Sequence, residues 1–229
     1  MSGCEPQVAM VPTPVPEPSP MEASTSLQVV CASTLTPAVR AAASAYRREH
    51  PEVEIVVLER ANALALQAYE QGDADLTLVT WLPESIIESA WVRPVSRDGL
   101  AVVVNPQNGL PGVTMTQLQD LFQGRLDDWA TWGGLPGTPQ LVSQTEASGA
   151  YAFFQAWVMR DNRVSLNALL APSASAVVAF VAADPLAVGY LSTTALDGTV
   201  RAVAVNGVPP SGEAIAAGLY PMARTHFVV

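Results

Sequence analysis

The sequence predicts an α/β protein made of two similar α/β units, and three observations predict it. Between residues 27 and 80 short apolar runs alternate with helical patterns in the order strand, helix, strand, helix, strand. That order builds a parallel sheet with helices on its faces. A second alternation of the same kind follows the apolar run at residues 99–104. Finally, 49% of the 229 residues are hydrophobic against 14% charged, which fills a large buried core.

Residues 1–26 stand apart from that core. They carry Cys4 and the proline-rich tract 11–20, which is extended, solvated and unable to pack. The first strand is read at 27–31, ending on Cys31, a buried strand-end thiol. A helix follows at 36–50; Pro37 is tolerated in its first turn and Pro51 stops it. Residues 53–58 form the next strand, 64–71 a helix capped by Gly72, and 75–80 the third strand. In such a sheet the ligand crevice lies beyond the carboxyl ends of the strands, here at 32–35, near Asn62 and at 80–82. After the buried strand 99–104 come turn residues and an amphipathic helix at 114–122. Thr114 or Thr116 caps it, Leu118, Leu121 and Phe122 share a face, and Gly124 ends it. A short strand at 140–143 leads into SQTEASGAYAFF, residues 143–154, a loop that becomes a helix (150–159) at the Ser148-Gly149 step. The first N–H groups of that helix have no partner in the chain, so its start is suited to an anion. A helix at 173–182 and strands at 186–191, 200–205 and 225–229 complete the chain.

Composition and motifs exclude most chemistry. The formal charge of −10 argues against nucleic acid and anionic membrane surfaces as partners. No apolar run reaches the roughly 18 residues that a membrane span needs. All eleven positive charges are Arg, which reflects genomic bias rather than function. His50 closes a helix and His226 sits in the last apolar strand, so neither is placed as a catalytic base. No Cys pair, His pair or dense Asp cluster has metal-ligand spacing. Asp127-Asp128 reads as a solvated helix start; Ser148 lacks the frame of a nucleophile elbow. Gly133, Gly134 and Gly137 precede no Lys-Ser or Lys-Thr step. No catalytic residue, metal or cofactor is expected. What remains is binding.

The order of motifs from residue 27 to 229 resembles the phosphate-binding family of ABC-transporter solute-binding proteins, PBP-like and two-lobed. Cys31-Ala-Ser-Thr-Leu-Thr-Pro37 stands where the family has a Gly-Ser-Ser-Thr-like loop followed by Pro. Gln71-Gly-Asp-Ala-Asp-Leu76 is similar to its Gly-x-x-Asp-Ile step, and Asp98 to Asn105 to its crossing strand. Residues 116–129, Val188-Gly-Tyr-Leu191, 204–209 and 218–224 resemble its helix-Gly-Trp segment, return strand and late signature. The resemblance implies an extracytoplasmic binding protein of an ABC importer, a monomer that closes on phosphate or a related small oxyanion and delivers it to the membrane subunits. It implies lobes at 27–98 and 99–191 with a return segment at 192–229. By position it implies ligand contacts from Thr34, the Leu35 N–H, Asn62 and Thr80 in the first lobe. The second lobe would supply Gln144, Ser148, Gly149 and Ala150. Met-Ser-Gly-Cys4 resembles the end of a bacterial lipoprotein signal, which implies a lipidated Cys4 and attachment to the cell membrane through the 1–26 tether.

The sequence also departs from the family. Gln144 stands in place of an Arg, Ala150 in place of a Thr, and Trp81 where many members have Arg. A bidentate, charge-assisted donor is thereby lost. Trp81 is either a stacking platform or a hydrophobe that helps close the lobes. Glu146 adds negative charge near the loop. Anion capture would then need an arginine from elsewhere, with Arg93, Arg97 and Arg224 as the nearest candidates. The alternative is a PBP-like binding or sensor module with a less charged ligand, or none. The last strand, ending at Val229, stands where family members continue into a helix and tail.

Overall fold

In the computed structural model, residues 25–229 are described; Cys4 and the proline-rich tract lie outside them. The chain runs β1 (Thr25–Ala32), a 3₁₀ turn (Ser33–Leu35), α1 (Thr36–Glu49), β2 (Val53–Arg60), α2 (Asn62–Gln71), β3 (Leu76–Val79) and α3 (Glu84–Ser89). Next come β4 (Arg93–Val104), β5 (Gly112–Val113), α4 (Met115–Phe122), β6 (Gln140–Gln144), α5 (Gly149–Phe154), β7 (Leu169–Ala171) and α6 (Ala174–Ala183). The last elements are β8 (Ala187–Ser192), β9 (Arg201–Val205), α7 (Gly212–Ala216) and β10 (Ala223–Val228).

The strands form one continuous sheet in the order β2-β1-β3-β10-β4-β8-β6-β7, with β9 also on β4 and β5 on β9. β1 runs parallel to β2 and β3, and β6 parallel to β7 and β8. The pairs made by β4 and β10 are antiparallel. The fold is therefore mixed α/β, a curled sheet flanked by helices, with β4 and β10 carrying the chain between the two halves.

Local sequence explains most elements. Thr114 caps α4 in a reciprocal box: its hydroxyl accepts from the Gln117 N–H while the Gln117 side chain accepts from the Thr114 N–H. Gly72 ends α2 at φ 73°, a left-handed conformation that costs a side-chain-bearing residue more. The central half of β4 is covered on both faces, which is why Gly-Leu-Ala-Val-Val-Val reads as an unbroken apolar run. Leu100, Val102 and Val104 enter a core with α4 and α5, whereas Ala101 and Val103 enter a second core under α6. Within the first, the Phe154 ring stacks on Tyr190 at 4.0 Å and meets Phe122 edge-on at 4.7 Å. The first half of the sheet has its own smaller cores on its two faces.

Several elements differ from the sequence reading. β4 begins at Arg93 rather than at residue 99, because its polar first half pairs with β10 and gains its structure from that partner. α3, β5, β7 and α7 are too short to show a period. The helix read at 150–159 begins at Gly149 and widens into a π turn (Gln155–Met159). Its loosened carbonyls are bonded by side chains: Gln119 Nε2 donates to Val158 O and Met159 O, and Gln155 Nε2 to Arg160 O.

Candidate anion-binding cleft

A cleft of about 530 Å³ separates the two halves of the sheet. It lies at the carboxyl ends of β1, β3, β6 and β8, where an open α/β sheet places its ligand. The starts of four helices line it: Ser33, Thr34 and Pro37 at the start of α1, Ala61 and Asn62 at α2, Ser148 to Ala150 at α5, and Ser173 to Ser175 at α6. Each start carries N–H groups without helical partners and a partial positive charge. The N–H groups of Thr34 and Leu35 have no acceptor among the described residues. Ser148 and Ser173 cap their helices by accepting from Ala150 N and Ala176 N.

Of the residues singled out in the sequence, Thr34, Asn62, Thr80, Gln144, Ser148, Gly149 and Ala150 line this cleft. Leu35 differs, since its side chain is buried in the core around Cys31 and only its N–H is available. Thr145, Pro172, Ser173, Ser175, Ser192 and Thr194 also line it and were missed. Ser173 was legible as a helix cap; the others reach the cleft only through the sheet order.

The polar side chains are mostly bonded to one another. Asn62 Oδ1 accepts from Thr80 N at 2.9 Å, Thr80 Oγ1 at 3.2 Å and Trp81 N at 3.3 Å. Ser148 Oγ donates to Gln144 Oε1 at 2.7 Å, and Gln144 Nε2 donates to Tyr190 O at 3.0 Å. Gln144 thus holds the cap of α5 in place. Burial pushes the Tyr190 hydroxyl well above the usual tyrosine range, although its bonds to Ser143 Oγ and Gln144 N act the other way.

The two halves touch directly here. Ala63 N donates to Ala147 O at 3.1 Å, and a Cβ at Gly149 would overlap Thr80 Oγ1 and lie 2.8 Å from Asn62 Oδ1. The two halves are thus in contact across the cleft, at Ala63 with Ala147 and at Gly149 beside Asn62 and Thr80.

No Arg, Lys, Asp or Glu lines the cleft among the described residues. Arg93 lies over the Trp91 ring at 5.2 Å, and Arg97 is exposed. Arg224 is buried in the sheet, where Nε and Nη2 bind the Asp98 carboxylate at 2.6 and 2.9 Å. His226 Nε2 also binds Asp98 Oδ1, at 2.9 Å, and Ser192 Oγ donates to Asp98 Oδ2 at 2.5 Å. The arginine sought for the cleft is therefore spent on the crossing strands. Trp81 and Glu146 do not line the cleft either.

Residues 18–229 match the family model described as the PBP superfamily domain. The chain belongs to this family. Among curated relatives of this PBP-superfamily chain, the phosphate-binding protein PstS of Bacillus subtilis is 29% identical over 206 residues, 88% of this chain and 68% of that one. PstS of Pseudomonas aeruginosa is 25% identical, covering 90% and 72%. A Clostridium perfringens structure described as a phosphate ABC transporter substrate-binding protein with bound phosphate has a TM-score of 0.80 at 22% identity, covering 89% and 85%. An ABC-type phosphate transport receptor from Vibrio cholerae has a TM-score of 0.75 at 24% identity, covering 88% and 85%. These structures share the two-lobed fold, and the resemblance read from the sequence holds. The family is one of solute-binding proteins.

Proposed function

We propose that this chain is the solute-binding component of an ABC importer and captures phosphate or a related small oxyanion between its lobes. One observation carries the reading: four helix starts, two from each half of the sheet, converge on a cleft with no carboxylate in its wall among the described residues. Helix dipoles and free N–H groups favour an anion there without a formal positive charge. The ligand contacts would come from Thr34, the Leu35 N–H, Gly149 and the neighbouring hydroxyls, with Asn62, Thr80, Gln144, Ser148 and Ala150 shaping the seat. We place the first lobe at 27–98, the second at 99–191, and the return at 192–229, whose β9 and α7 pack on the second lobe before β10 re-enters the first. Lipidation of Cys4 would anchor a monomeric receptor at the outer face of the cell membrane, close to the importer's membrane subunits.

Calorimetric titration of ligand-stripped protein with phosphate and sulfate tests the proposal. A micromolar or tighter phosphate Kd supports it, whereas no heat with either anion refutes capture of an inorganic oxyanion. The uncharged cleft wall favours a second reading, a PBP-like binding or sensor module for a less charged ligand.

The Gln144→Arg variant separates these readings. The guanidinium would keep a donor for Tyr190 O and add charge-assisted donors at the α5 start. A hydrogen bond to a charged group is worth about 1.5–3 kcal/mol, so phosphate affinity should rise roughly ten- to a hundredfold. Unchanged affinity in calorimetry would mean that the anion, if bound, sits away from this start.

A further inference from the structure

We propose that the preferred ligand is an organic oxyanion, a phosphate monoester with a small uncharged substituent, rather than inorganic phosphate. The inference rests on the oxyanion reading of the cleft and names its ligand class.

Room is the first argument. A water takes about 30 Å³ of liquid, and a tetrahedral anion fills the place of a few waters. A cleft of about 530 Å³ lies instead within the size range of sites for organic molecules. The extra space has a distinct wall. Pro37 and Ala38 face it from α1, Pro172 and Ala174 from the start of α6, and Ala195 from the turn after β8. These are small and apolar, and an uncharged organic group can lie against them.

The second argument is hydrogen-bond balance at the head group. Inorganic phosphate near neutral pH carries at least one O–H, which needs an acceptor when desolvated. No carboxylate lines the cleft among the described residues. Asn62 Oδ1 already accepts three bonds, from Thr80 N, Thr80 Oγ1 and Trp81 N, and Gln144 Oε1 accepts one from Ser148, so that O–H would meet neutral acceptors, chiefly hydroxyls, rather than a carboxylate. A phosphate monoester has its second pKa near 6, so above neutrality it presents oxygens that only accept. What the cleft offers most is donors: the Thr34 and Leu35 N–H groups, which have no acceptor among the described residues, together with hydroxyls such as those of Thr34 and Thr145, which can donate as well as accept. An ester therefore matches the cleft in both charge distribution and size.

The test titrates the ligand-stripped chain with glycerol phosphate, inorganic phosphate and sulfate at pH 8, in the wild type and in Ala195→Trp. The ester should bind at least tenfold tighter than either inorganic anion. Ala195→Trp, which fills the apolar side of the cleft, should bring the ester-to-phosphate ratio to about one; a ratio unmoved in a variant of native circular dichroism would overturn the proposed seat. Phosphate or sulfate binding as tightly as the ester overturns the proposal while leaving oxyanion capture intact. Silence from all three anions removes both.

Discussion

Gly149→Ala weakens phosphate and glycerol phosphate binding by tenfold or more while leaving thermal stability nearly unchanged. A Cβ at this position overlaps Thr80 Oγ1 and comes within 2.9 Å of Asn62 Cγ. Those atoms cannot yield easily, because Asn62 and Thr80 are bonded to each other and buried. The least costly relief is separation of the halves, which gives up the Ala63 N to Ala147 O bond and exposes the cleft. Each half keeps its own core, so unfolding is little affected. A tenfold loss corresponds to about 1.4 kcal/mol, the scale of one closure contact and its bound-state benefit. Small-angle scattering should show a larger radius of gyration for the variant with ligand present. Equal radius and equal affinity in the two proteins would remove Gly149 from the closing mechanism.

Asp98→Asn should produce the largest loss of stability. Asp98 is held by Arg224, its cross-strand partner on β10, and by His226 and Ser192, all of them buried. Burial alone would raise the Asp98 carboxyl, but the bonds from His226 and Arg224 outweigh it and hold the group well below the usual carboxylate range. Without the carboxylate the Arg224 guanidinium, whose Nη1 already has no partner, becomes an uncompensated buried charge. Breaking a buried pair in this way costs about 3–5 kcal/mol. At roughly 2–4 °C per kcal/mol for a chain of this length, Tm should fall by about 10 °C in calorimetry. The same pair makes stability depend on pH. Because the folded pKa is depressed, the contribution is complete above the unfolded value near 4 and is lost as pH falls below it. Wild-type Tm should therefore drop below about pH 4, and the Asp98→Asn protein should lose less over the same interval. Parallel Tm curves would show that another group governs acid unfolding.

Much of the fold was legible because its signals are local. Pro51, Gly72 and Gly124 punctuate the chain, the Thr114 box opens α4, and the apolar run at 99–104 marks a strand buried on both faces. The Ser148 cap identified one wall of the cleft. What local pattern could not carry was pairing at a distance. The polar half of β4 becomes strand only because β10 returns beside it, 130 residues apart at Ser96 and His226.

The site divides along the same line. The residue types that can meet an anion are read from the amino acids themselves. Whether those residues are free to bind is not. The sequence offered Arg224 as a cleft cation, yet it lies in the sheet on Asp98, and Asn62, Thr80, Gln144 and Ser148 direct polar atoms at one another. Hydrogen bonds and ion pairs act over about 3 Å, so their allocation is settled only when distant strands and helix starts are brought together. By itself the sequence determined a two-lobed α/β chain of the PBP superfamily. Only the tertiary structure decided that no charged side chain lines the cleft among the described residues, that the halves meet at Gly149, and that the cleft is roomy beyond a single tetrahedral ion.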